Sequence, residues 1–243
     1  MDVQTETVAT EENLLLRSLP FDQYAELLPF LEPVDFAARH VLWQPNATIH
    51  SLYFPRTCVV SLLTPLSDEP PVEAATVGRE GFAGTSVVLG VRATNTQGIV
   101  QVPGSAARMD AERFMTQSRR GDGALLPLLL RYAQALQEQT AQSVACNRRH
   151  AVEERCARWL LMTQDRVGVS EFSLTQDFLA FMLGVRRASV TVAAGMLQQA
   201  GFIRYQRGRI TVLDRAGLEA ASCECYGVVT RKYDQLLRTT SAA

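Results

Sequence analysis

MLGVRRASVTVAAGMLQQAGFIRYQRGRITV, Met182 to Val212, sets two arginines behind a glycine, then small and apolar residues at helical spacing, then a hairpin-like segment with three more arginines. Within it Val190, Ala193 or Ala194, and Leu197 fall on one face of a helix. Around a two-residue turn, Ile203, Tyr205, Ile210 and Val212 alternate as in a β-hairpin. Just upstream, FSLTQDFLAFML (Phe172 to Leu183) reads as a shorter helix. Thr175 is its N-cap, Asp177 suits the first turn's partial positive charge, and Phe178, Leu179 and Met182 face inward. Gly184 marks the turn between the two helices. Helix, glycine turn, helix and basic hairpin together predict a winged helix-turn-helix.

That geometry gives the arginines a task. The second helix of such a unit enters the DNA major groove N-terminus first, so Arg187 is placed to offer two N–H donors to guanine, a contact worth ~1–3 kcal/mol of discrimination. Arg186 is a phosphate or alternative base contact, and Ser189 and Thr191 are short enough to let the helix sit deep. Thr175 joins the DNA-facing set at the start of the preceding helix. Gln198 and Gln199 lie further along, touching phosphate or nothing. Arg204, Arg207 and Arg209 on the wing suit neutralisation of the phosphate backbone, which adds affinity without sequence information. Residues 178–213 hold these five arginines and no acid, whereas residues 1–38 hold eight acids and one base, Arg17, in a chain of net charge −1. Such a gradient points to one anion-binding end.

The rest of the chain is of a different character. TIHSLYFP (Thr48 to Pro55), CVVSLLTP (Cys58 to Pro65), VEAATVG (Val72 to Gly78) and TQGIVQVPG (Thr96 to Gly104) are short β-prone runs bounded by Pro and Gly, predicting a small antiparallel sandwich or roll. DQYAELLPFL predicts a short helix before it. From Asp122 onward Leu126, Ala133 and Thr140 recur seven apart, with Leu129, Leu136 and Ser143 offset by three. A seam this long can be buried in its own domain or against a second copy. The copy is favoured, because the seam outruns a typical strand. AVEERCARWLLMTQDRV adds a further helix, ended by Gly168. The expected division is a β-roll sensor over residues 1–121, a dimerisation helix over 122–150, the winged helix-turn-helix over 151–215 and a helical tail over 216–243. The fold class is α+β.

A roll, a long helix and a C-terminal winged unit reading LTQDFLAFMLGVRRASVT resemble the CRP/FNR family of bacterial transcription regulators over Leu14 to Leu213. The resemblance implies an eight-stranded roll and a homodimer that binds a palindromic operator on double-stranded DNA, with RNA polymerase as a further partner. It also implies that Arg187 is the guanine reader and Ser189 the neighbouring hydroxyl. Arg186 and Ala188 depart from the family's small polar cap and acid, so the preferred operator differs. Cyclic-nucleotide members hold the ribose with Gly-Glu and the phosphate with Arg-Ser or Arg-Thr. Here Gly84 and Thr85 fall at the first pair and Asn95 and Thr96 at the second, and both charged anchors are missing. Using Glu80 and Arg92 instead restores one of each but breaks the loop between them. A phosphodiester without a guanidinium loses its charge-assisted contact. The effector stays unknown.

Other chemistries find little support. Residues 1–57 contain no cysteine for an iron–sulfur cluster, and His40, His50 and His150 each stand alone as haem ligands. Cys223 and Cys225 form C-x-C without two further ligands nearby in sequence, so no metal or cofactor is assigned. Cys146 can meet its symmetry mate and report oxidation. Paired catalytic carboxylates, a nucleophile elbow, a phosphate loop and a metal triad are all missing, so no enzyme is expected. The alternative is a ligand-binding module whose winged domain contacts protein. The polar start, the scattered odd cysteines and the want of any ~20-residue apolar run place the chain in the cytoplasm, away from membranes.

Overall fold

The computed structural model describes residues 12–118 and 123–240. The first eleven residues, the change of character at Asp122 and the last three residues lie outside the described residues. Helices α1 (Leu14–Arg17) and α2 (Phe21–Leu27) and a 3-10 turn (Leu28–Phe30) lead into β1 (Glu32–Phe36), β2 (Val41–Trp43), β3 (Ser51–Pro55), β4 (Val59–Thr64) and β5 (Val72–Val77). After α3 (Thr85–Val88) come β6 (Gln97–Val102), β7 (Gly104–Asp110) and α4 (Ala111–Ser118). These strands form two antiparallel sheets, β1-β7-β3 and β2-β6-β4-β5. Leu52, Phe54, Val60, Leu63, Val77 and Phe82 are buried in the core with them. The roll therefore has seven strands among the described residues, against the eight implied by resemblance. The runs read from sequence became β3 to β6. Strand β1 was hidden because EPVDF carries a proline and stays largely exposed, and β2 because it is three residues long.

A long helix, α5 (Leu125–Arg149), follows, with Pro127 in its first turn, where its missing N–H costs little. Its buried face is Leu125, Leu128, Leu129, Tyr132, Ala135, Leu136, Gln139 and Cys146. The Tyr132 ring lies 5.0 Å from Phe82, and a Cβ on Gly81 would come within 2.0 Å of it, so only glycine admits that ring against the roll. The predicted seam is corrected by half. Leu129 and Leu136 are packed inside their own chain, because the helix must cover the roll before it can meet anything else. Leu126, Ala133 and Thr140 remain partly exposed. They alternate at spacings of four and three with Leu130, Gln137 and Val144, of which Leu130 is 42% and Val144 68% exposed.

The chain then turns at His150 into α6 (Val152–Val167), whose start is held by Glu154 accepting the Ala151 N–H at 2.9 Å and whose end is Gly168 at φ 74°. Next come β8 (Glu171–Ser173), α7 (Gln176–Leu183), α8 (Arg187–Gln199), β9 (Ile203–Gln206) and β10 (Arg209–Val212), with sheet order β8-β10-β9. Helices α9 (Arg215–Ala220) and α10 (Cys225–Thr240) complete the order. Helix α10 is no loose tail, since its Tyr233 ring packs 6.0 Å from Tyr132 and its hydroxyl donates to Gln139 at 2.9 Å.

One guanidinium ties these parts together. Arg166 on α6 pairs with Glu80 of the roll at 2.9 Å and donates to Gln139 Oε1 of α5 at 2.8 Å and to the Met162 carbonyl at 2.9 Å. Both charged side chains are nearly sealed from water, at 5% and 12% exposure.

A second polar cluster lies where α6 and α7 abut the roll. The Glu73 carboxyl accepts from the Trp159 indole at 2.9 Å and sits 2.7 Å from Ser61 Oγ, which is itself 2.5 Å from Gln101 Oε1. Ser61 has one proton, so both of its short contacts are satisfied when a protonated Glu73 donates to Ser61 and Ser61 donates to Gln101. Burial pushes this carboxyl from 4.5 up to about 7, outweighing the hydrogen bonds that Ser61 and Trp159 would offer its ionised form. Between those two values the folded chain holds a proton that the unfolded chain has released, so stability falls as pH rises through that window and is level above it. Glu73→Gln removes this component. Urea titrations at pH 5 and pH 8 should show the wild type losing more of its midpoint than the variant, and equal losses would refute a buried protonated Glu73.

Candidate nucleic-acid interface

Helix α7 begins at Thr175, whose hydroxyl accepts the Phe178 N–H at 3.2 Å, and ends at Gly184 in the left-handed region, φ 63°. Across that turn the axes of α7 and α8 differ by 106°, within the range of helix-turn-helix pairs. Val190, Ala193, Ala194 and Leu197 are the buried stripe of α8, as its spacing predicts. The opposite face is therefore Ala188, Thr191, Val192, Gly195 and Gln199, all exposed. Two of these are Ala and Gly, so the outer surface is low, and Val192 at 59% exposure offers a methyl pair that suits a thymine methyl. Val192 and Gly195 were missed from sequence, although counting half a turn from the buried stripe finds them.

Arg186 caps α8 and Arg187 opens it. Arg187 lies 3.3 Å from Asp177, both about two-thirds exposed. Counting acids from residue 178 left Asp177 out, and the fold brings it back across the turn. An exposed pair of this kind contributes ~0–1 kcal/mol, less than a bidentate guanine contact, so DNA can displace it. Ser189 is partly exposed beside the cap, and its N–H reaches the Arg186 carbonyl at 2.9 Å. Thr191 donates to Gln176 at 2.9 Å, tying α8 to the start of α7.

On the wing, Arg204 and Arg207 are exposed and form no ion pair among the described residues, whereas Arg209 is held by Glu171 of β8 at 2.7 Å. The Arg209 contact also draws the Glu171 carboxyl below its usual range. Gln198 proves structural, its side-chain carbonyl accepting the Tyr205 N–H at 2.8 Å, and the Tyr205 hydroxyl reaches the Leu174 carbonyl at 3.0 Å. These contacts fix the wing relative to both helices. Its tip is Arg207 and Gly208, at φ 49° and 75°, a two-residue turn with both centres in the left-handed region.

In the roll, four of the five residues singled out have places in the fold, and the fifth, Asn95, is exposed. Gly84 is buried at φ 109° and caps α3, which Thr85 opens. Arg92 donates to the Ile49 carbonyl at 3.3 Å and pairs with Glu112 at 3.4 Å. The Thr96 carbonyl accepts from the Trp43 indole at 3.0 Å. A cleft of about 410 Å³ lies elsewhere, between Arg79 and Glu80 of the roll, Asp165 and Arg166 of α6, and Tyr226 and Tyr233 of α10. The readings of His150 as standing alone and of Cys223 and Cys225 as lacking further ligands are also corrected. Folding brings Cys146, His150, Cys223 and Cys225 together, their ligand atoms all within 4.8 Å of one another. No single helix among the described residues is long and apolar enough to cross a membrane.

Residues 154–221 match the family described as the Crp-like helix-turn-helix domain. No curated relative matches the chain by sequence. Among solved structures, a CRP-family transcriptional regulator of Thermus thermophilus superposes with TM-score 0.64 at 16% identity, covering 78% of this chain and 96% of its own. FixK2 of Bradyrhizobium japonicum gives 0.63 at 14%, with 79% and 98% covered. The c-di-GMP-responsive global regulator CLP of Xanthomonas campestris gives 0.58 at 15%, with 79% and 99% covered.

An arginine at positive φ costs ~1 kcal/mol that asparagine largely avoids. Arg207→Asn should therefore hold or raise the stability of the chain by up to ~1 kcal/mol, read from the midpoint of thermal or urea unfolding. A loss of stability would show that the Arg207 side chain supports the fold rather than being presented by it.

Proposed function

We propose, for a chain with the fold of CRP/FNR regulators and a Crp-like helix-turn-helix domain over residues 154–221, that it is a homodimeric regulator reading a two-fold operator through α8. The observation that carries this is the outer face of α8: Arg186 and Arg187 at its N-terminus, small residues along it, and a wing bearing Arg204 and Arg207 free of ion pairs among the described residues. Arg187 is the base reader, exchanging Asp177 for guanine on binding. Thr191 and Gln176 hold the two helices at the crossing angle that admits α8 to the groove.

The division into sensor, long helix and winged unit follows from the same reading. Two copies meet along Leu126, Leu130, Ala133, Gln137, Thr140 and Val144 of α5, the stripe left after the helix has covered its own roll. Cyclic AMP is not the effector we favour, because Arg92 is engaged by Ile49 and Glu112 and the anchor positions Gly84, Thr85, Asn95 and Thr96 carry no charge.

Two experiments test the reading. DNA selected from a random pool should be palindromic. On it, Arg187→Ala should cost about 1–3 kcal/mol of specific affinity and relax the preference at one base pair, whereas Arg207→Asn should weaken all sequences alike and reduce the salt slope by about one phosphate. Unaltered selectivity in Arg187→Ala would remove it as the reader. Sedimentation of Val144→Glu should show monomers where the wild type is dimeric; a dimer that survives places the interface elsewhere.

A further inference from the structure

We propose that Cys146, His150, Cys223 and Cys225 form a structural zinc site that clamps the end of α5 to the start of α10. The four come from two short motifs far apart in sequence. C-x3-H places Cys146 on the last turns of α5 and His150 at its C-cap, and C-x-C lies where α9 gives way to α10. Neither half is a metal motif alone, since each supplies two ligands where closed tetrahedral sites need four.

The geometry suits that ion. Cys146 Sγ and Cys223 Sγ are 3.5 Å apart, as are Cys225 Sγ and His150 Nδ1. A tetrahedral centre with Zn–S near 2.3 Å and Zn–N near 2.0 Å sets its ligand atoms roughly 3.5–3.8 Å apart. A disulfide needs about 2.05 Å and would use two of three thiols, leaving the imidazole unexplained.

The surroundings fit metal better than plain core thiols. The three cysteines form a buried cluster of their own, separate from the main core. Around them stand polar groups with defined directions. Gln142 donates an amide N–H to Cys225 Sγ at 3.0 Å, a bond that a thiolate accepts well. His150 turns Nδ1 to the sulfurs and Nε2 to Glu224, 3.2 Å away. With the proton on Nε2 shared with the carboxylate, the Nδ1 lone pair points at the cluster, the carboxylate–histidine–metal relay common at zinc sites. Arg155 and Arg158 act electrostatically on Cys146, opposing the net negative charge that three thiolates and one histidine leave around a divalent ion. Thiolate-rich N/S donors in a tetrahedral arrangement select zinc over magnesium or calcium, which prefer oxygen.

The site lies at His150, where α5 turns into α6, so a bound ion would fix the joint from which the DNA-reading domain hangs. The test uses the full chain expressed in zinc-supplemented medium and purified with reductant and without chelator. One zinc per chain is expected, along with thiolate-to-metal charge-transfer and tetrahedral d–d bands when Co(II) replaces it. Cys223→Ser and Cys225→Ser should drop the content below a tenth of that value, while Cys58→Ala retains it. Glu224→Gln should still reach one zinc at saturation but bind it about 10–100-fold more weakly in competition with a chromophoric chelator. Should the serine variants fail to fold, the Co(II) spectrum of the wild type decides. Wild-type protein that holds no stoichiometric zinc and gives no cobalt–thiolate bands, or that isolates with a Cys146–Cys223 disulfide, overturns the proposal.

Discussion

The buried Arg166–Glu80 pair is the constraint on which the arrangement of this molecule depends. A guanidinium at 5% exposure is tolerated only if its charge is met and its terminal N–H groups are bonded, and those partners come from three places. Glu80 is in the roll, Gln139 is on the long helix, and Met162 is on the helix that bears Arg166. Tyr233 adds the C-terminal helix through the same Gln139 oxygen. Removing one partner of such a pair leaves an unmatched buried charge at a cost of about 3–5 kcal/mol, so the roll, the long helix and α6 are held in one relative placement. Gly78 follows from this, since a Cβ there would come 2.3 Å from the Arg166 side chain.

That lock explains why the long helix cannot be a free dimerisation rod. A helix that must hold Gln139 under Arg166 and Tyr132 against Gly81 spends one face on its own chain, and the stripe left over is rotated by one position from the heptad that the sequence suggests. Leu129 and Leu136 look like coiled-coil positions because the requirements for covering a sheet and for meeting a second helix are both apolar at nearly the same period. Sequence spacing does not say which neighbour takes which face.

The winged helix-turn-helix was legible for a different reason. Its local signals agree with one another: the Thr175 cap, the Gly184 turn, the buried stripe Val190–Leu197 and the alternating wing all specify one geometry within about forty residues. What was lost there was anything that the turn brings back in space, such as Asp177 against Arg187 or Gln198 under Tyr205. The cysteine–histidine cluster is the extreme case, since 77 residues separate Cys146 from Cys223, and nothing in either pair alone marks it as half of a ligand set. The weak strands failed for the opposite reason, being too short or too exposed to show any alternation.

These contacts differ in what can undo them. The Arg166 pair is sealed and charged, and breaking it is expensive. The Glu73 cluster between the roll and α6 is partly buried and turns on one proton, so its contribution falls as pH rises from about 4.5 to about 7. The Asp177–Arg187 pair is exposed and weak. The second of these joins the roll to the winged unit through a titratable group, since Glu73 of the roll meets Trp159 of α6, whereas the Asp177–Arg187 pair lies within the winged unit, between α7 and α8.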